Sequence, residues 1–132
     1  TRLPAPGALQ TPGGPISWLA DNQRKGISPE ARVLTVHANR DASAAHWHDA
    51  DDEALAWLAD MARPWLAPGA AVRAGELVRW PRAVPLTLRP ERCWVSGLGA
   101  PLVFAGDAFG GPRVEGAVLS GWAAAAALRA RL

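Results

Sequence analysis

Cysteine occurs once in this 132-residue chain, at Cys93, so no intramolecular disulfide can form and no cysteine-based metal site exists. Such cysteine usage suits a reducing compartment, and the cytoplasm is the expected location. Lysine is equally scarce: Lys25 is the only one among 14 basic residues. Arginine supplies the rest, beside much Ala, Gly and Pro, a bias of GC-rich coding sequence that carries little functional information. The formal net charge is only +2, and no run of Lys or Arg forms a stripe. That argues against a dedicated nucleic-acid surface. Long apolar runs are missing as well. Gly116 to Leu128 is the longest weakly polar stretch, too short and too rich in Gly and Ala to span a bilayer. The opening residues have neither the charged nor the apolar region of a signal peptide. The chain starts at Thr1 without methionine, which hints at a processed product or a fragment.

Apolar residues make up 49% of the chain, enough for a globular domain with a hydrophobic core. Residues 1–15 are rich in Pro and Gly, without periodicity, and read as a loop or tail. Ile16 to Ala20 suits a short buried strand, followed by a polar turn from Asp21 to Gly26. Ala31 to Ala38 is the best strand signal, with Val33, Thr35 and His37 on one face and Leu34 and Val36 on the other. Asp49 to Asp52 supply helix-capping candidates and a negative first turn. Leu55, Leu58, Ala59 and Ala62 then form an amphipathic stripe that ends at Pro64. A third strand is predicted over Ala71 to Trp80, and further strands over Cys93 to Gly97 and Pro101 to Gly106. A final helix is predicted from about Pro112 to Arg129. This order implies an α+β fold: a largely antiparallel sheet with one amphipathic helix, then a C-terminal strand and helix.

The stretch from Leu102 to Leu128 carries the most chemistry: a strand, an acidic turn, a glycine pair and a helix start. Pro112 suits the first helical position, since its missing N–H is one the helix would leave unpaired. The amides of Arg113, Val114 and Glu115 would then point outward at the positive end of the helix dipole, where an anion is favoured. Gly110 and Gly111 would let a ligand approach the backbone. Gly116 and Gly121 inside the helix each cost about 1 kcal/mol relative to Ala, which suggests close packing on one side. Gly116, Ser120, Ala123, Ala124 and Ala127 form a small-residue face, against a bulkier one of Val118, Leu119 and Trp122. Two readings stand at this point: a C-terminal helix packed tightly on a sheet, or an anion-holding turn.

GDAF (106–109), RVEGA (113–117) and LSG (119–121) resemble, in order and spacing, the C-terminal flavin-binding segment of the flavin amine oxidases. Upstream, ISWLADNQRKG, ARVLTVHA and VRWPRAVP are similar to segments of the renalase-like branch of that family. The resemblance runs from about Ile16 to Leu128. It implies a partial substrate-binding domain over 16–100 and, over 101–132, the C-terminal strand and helix of an FAD-binding domain. It places Gly106, Asp107, Gly111, Arg113, Val114 and Glu115 at FAD, with Asp107 by the ribityl and pyrophosphate part and the helix-start amides by the N1 and C2=O edge. Asn22, His37 and Trp80 would approach the substrate side of the flavin ring. The family opens with a βαβ unit carrying G-x-G-x-x-G, and this chain has no such motif. The implied protein is therefore the C-terminal part of an FAD-dependent oxidoreductase. Its parent would move a hydride from a dihydronicotinamide-type or amine substrate to FAD and then to O2. FAD would be held non-covalently in the parent and not retained by this part alone. The implied partners are the missing N-terminal half and, for the isolated part, other copies of itself.

Other residues invite duller readings. His46 and His48, with Asp49, Asp51 and Asp52, suggest a metal site, but residues two apart on a helix diverge by roughly 200°, so no metal is expected. Lys25 reads as a solvated turn residue and Ser120 as a packing residue, since no G-x-S-x-G elbow surrounds it. Most of the seven Trp should be core or interface. The alternative function is an autonomous, non-catalytic α+β interaction module.

Overall fold

The computed structural model describes residues 1–97, 99 and 102–131. Two compact units divide the chain, Thr1–Arg79 and Trp80–Leu132. The fold is α+β, with a three-stranded antiparallel sheet in the first unit and a two-stranded antiparallel sheet in the second.

The first unit is organised around one strand. β1 (Ala8–Gln10), β2 (Ile16–Asp21) and β3 (Leu34–Ala38) pair in that order, with β2 in the middle. A continuous apolar run bounded by polar turns suits such a central strand, and Leu19 and Ala20 are fully buried in it. Leu19 stands opposite Leu9 on one side and Val36 on the other. Burying one such leucine contributes about 1.5–3 kcal/mol. The face carrying Leu34 and Val36 packs into the core, as the alternation in β3 predicts. The Pro/Gly-rich opening is not a loose tail. Leu3 is a core residue, and residues 8–10 form β1 because β2 offers an edge with which to pair.

Two helices follow. α1 (Arg40–Ala45) was not foreseen, because its RDASAA sequence has no apolar stripe; it starts where the Asn39 side chain accepts a 2.8 Å bond from the Ala42 amide. α2 (Asp51–Ala62) has Ala50 at its cap position, with no side-chain cap bond. Asp51, Asp52 and Glu53 occupy its first turn, where the helix dipole favours them. Asp49 instead meets His46 at 2.6 Å. The core face of α2 lies slightly round from the predicted stripe: Trp57, Leu58, Met61 and Ala62 pack inward, while Leu55 lies beside Gly75. A short 3₁₀ turn (Arg63–Trp65) ends the helix at Pro64.

The predicted strand over residues 71–80 is absent. No described strand pairs with it, and Val72, Val78 and Trp80 are exposed. A β-pattern without an edge to pair with leaves its ladder unmade. Within the first unit this irregular segment is secured by Arg79, whose guanidinium donates to the Trp47 and Asp49 carbonyls at 3.1 and 2.7 Å and pairs with Asp51.

In the second unit β4 (Trp94–Val95) and β5 (Val103–Phe104) pair, and α3 (Val114–Arg129) packs on them. The predicted strand start at Pro101 and the boundary at residues 100 and 101 lie outside the described residues.

Asp21 ends β2 fully buried. Its carboxylate accepts from the Thr1 hydroxyl at 2.6 Å and from the Gln23 and Arg24 amides at 3.1 and 3.2 Å, with Arg32 at 3.9 Å. Burial opposes the charged form. The Thr1 hydroxyl, the Arg24 amide, the Arg32 charge and the Gln23 amide outweigh it and hold the carboxyl below its ordinary value. A carboxyl depressed in the folded state stabilises above its unfolded pKa and loses that contribution as pH falls through the folded one. We expect Asp21→Asn to lower the urea midpoint of the first unit at pH 7 and to flatten its decline below about pH 5. An unchanged acid limb, followed by circular dichroism, would show that Asp21 is not the titrating tie.

Candidate functional site

β5 leads through Gly106 into a tight turn, and the turn feeds α3. The Phe109 amide bonds the Gly106 carbonyl at 3.1 Å. Arg89 joins from upstream: its amide donates to Ala108 at 2.7 Å and its carbonyl accepts from Gly110 at 2.9 Å. Gly110 and Gly111 then turn the chain with φ of 81° and 134°, values that residues with a Cβ rarely adopt.

The helix closes onto this turn at two points. A Cβ on Gly116 would lie 2.2 Å from the Gly111 carbonyl oxygen, so only glycine lets the first turn of α3 sit there. One turn later, the fully buried Ser120 hydroxyl accepts the Gly106 amide at 2.9 Å. Ser120 is therefore a structural hydrogen-bond acceptor as well as a packing residue. The small-residue face is the packed one, with Gly116 and Ser120 its buried members; of the predicted bulky face Val118 and Trp122 are exposed but Leu119 is half-buried, and Val114 is exposed as well.

The first intrahelical bond runs from the Ala117 amide to the Arg113 carbonyl at 2.9 Å, which makes Arg113 the cap residue. Pro112 consequently lies one residue before the cap, not at the first helical position as predicted. The Arg113 amide is also not free, since it donates to the Gly111 carbonyl at 2.9 Å. The amides of Val114 and Glu115 stand in the first turn, where an α-helix offers no internal acceptor. Arginine is an unusual cap. Its side chain makes no cap bond here, and a cation at the positive pole of a helix is disfavoured. The Arg92 side chain also lies over the turn, its Nη1 3.1 Å from where a Gly110 Cβ would be, so of the two glycines predicted to admit a ligand only Gly111 is open.

Gly106, Asp107, Gly111, Arg113, Val114 and Glu115 thus lie together around one turn and one helix end. Asp107 is exposed at the tip of the turn, and Val114 is 84% exposed. Asn22 and His37 fall in the first unit, Trp80 in the second. The Asn22 side-chain amide donates to the Thr35 hydroxyl at 2.9 Å, and the Asn22 backbone carbonyl accepts from the Ile27 and Ser28 amides at 2.9 and 3.1 Å. Those bonds give Asn22 a structural task in closing the β2–β3 connection. They also put its side chain on the Thr35 face of β3, which His37 shares two residues on. His37 and Trp80 are exposed.

Lys25 is exposed in its turn. The His46 ring stacks on Trp57 with centroids 4.2 Å apart, and among the described residues no group of His, Cys, Asp or Glu is arranged to hold a metal ion. No helix among the described residues is long and apolar enough to cross a membrane. Sequence reading missed Asp21, Arg89 and Arg92. An acid closing an apolar strand ahead of a polar turn was the available signal for Asp21; Arg89 and Arg92 left none, because irregular backbone carries them to the turn. No family model, curated protein or solved structure matches the chain.

The two helix glycines should behave oppositely. Gly116→Ala should cost at least about 2 kcal/mol, because a backbone carbonyl blocks the new methyl. Gly121→Ala meets nothing within 4 Å and should gain up to about 1 kcal/mol in this chain. Equal effects in denaturant titrations would contradict the packing described.

Proposed function

We propose that this chain is the C-terminal part of an FAD-dependent oxidoreductase of the renalase-like, flavin amine oxidase kind. The observation that carries the reading is the glycine turn at the amino end of α3. There an exposed Asp107, two glycines at positive φ and an arginine cap meet helix amides that lack internal acceptors. These residues suit the group. A Cβ on Gly106 or Gly111 would meet nothing within 4 Å, so the backbone there is open to a ligand. A cation at a helix cap is a local conflict that an anionic or carbonyl-edged ligand relieves.

In this reading the amides of Val114 and Glu115 would donate to the electron-rich edge of the ring system, and Arg113 would add positive charge. Asp107 accepts hydrogen bonds from ligand hydroxyls. FAD, bound non-covalently, would supply the redox chemistry: acceptance of a hydride from a dihydronicotinamide-type or amine substrate, and two-electron, two-proton reduction of O2 to hydrogen peroxide. The resemblance would assign Asn22 and His37 of the first unit and Trp80 of the second to the substrate side.

The remainder of the flavoprotein would cover what this chain leaves open. α3 carries Val114, Val118 and Trp122 to the surface, and the strand-like segment 71–80 forms no strand among the described residues. Exposed apolar faces of this kind recruit partners.

In the parent flavoprotein, Asp107→Ala should weaken FAD binding about 10- to 100-fold, the loss of a hydrogen bond to a charged group. Apoprotein stability should hardly change, as Asp107 is exposed. Full flavin occupancy with reduced stability would make Asp107 a structural residue. The chain on its own should be colourless and should self-associate at micromolar concentration in sedimentation runs. A flavin absorption band surviving gel filtration would overturn the first expectation. A cooperatively unfolding monomer would favour the autonomous interaction module.

A further inference from the structure

We draw no further inference here: the strongest candidate, the shallow depression in the second unit lined by Arg89, Trp94, Phe104 and Phe109, is an open apolar face, and nothing in the structure shows what covers it.

Discussion

The second unit depends on a contact that only a missing side chain permits. Because residue 116 is glycine, the first turn of α3 can sit against the Gly111 carbonyl. The buried Ser120 hydroxyl then holds the Gly106 amide and ties the end of β5 to the helix. These two constraints fix both ends of the glycine turn, with Arg89 bonded to its middle. The positions of Asp107, Arg113 and the first helical amides follow. A turn held this way is preorganised, and a ligand binding there would not have to order it.

α3 inverts the usual amphipathic logic. A surface helix normally turns its bulky apolar residues inward. Here Gly116 and Ser120 are buried against the turn and Leu119 is half-buried, while Val114, Val118 and Trp122 face outward. The inward choice is explained by the close approach at Gly116. The outward choice has no explanation among the described residues of the second unit, and the unfilled space beside Gly121 sharpens the point. A glycine in an exposed helix interior is unfavourable without a neighbour that needs the room. A neighbour from outside the second unit would fill that need, as the proposed function supposes.

Elements whose signals are local were legible in the sequence. β2 and β3 follow from β-branched and apolar runs, α2 from its spacing, and α3 from its length and composition. What depends on tertiary partners was not. The segment 71–80 carries a strand pattern but finds no described edge, and residues 8–10 become a strand only because β2 offers one. Trp57 and Met61 shifted the buried face of α2, since the core takes large side chains wherever volume is available. At the site, the order of strand, glycine turn and helix was legible. The shift of Pro112 and the use of the Arg113 amide were not, because both depend on how tightly the turn closes.

The central claim is that the amino end of α3 is a cofactor-facing surface. Amide hydrogen exchange in the longer protein that the proposed function supposes, with and without FAD, tests it most directly. The account predicts that FAD slows exchange across residues 106–116, with the Val114 and Glu115 amides among those protected. Exchange there that is indifferent to FAD, with protection confined to other parts of the protein, would contradict it.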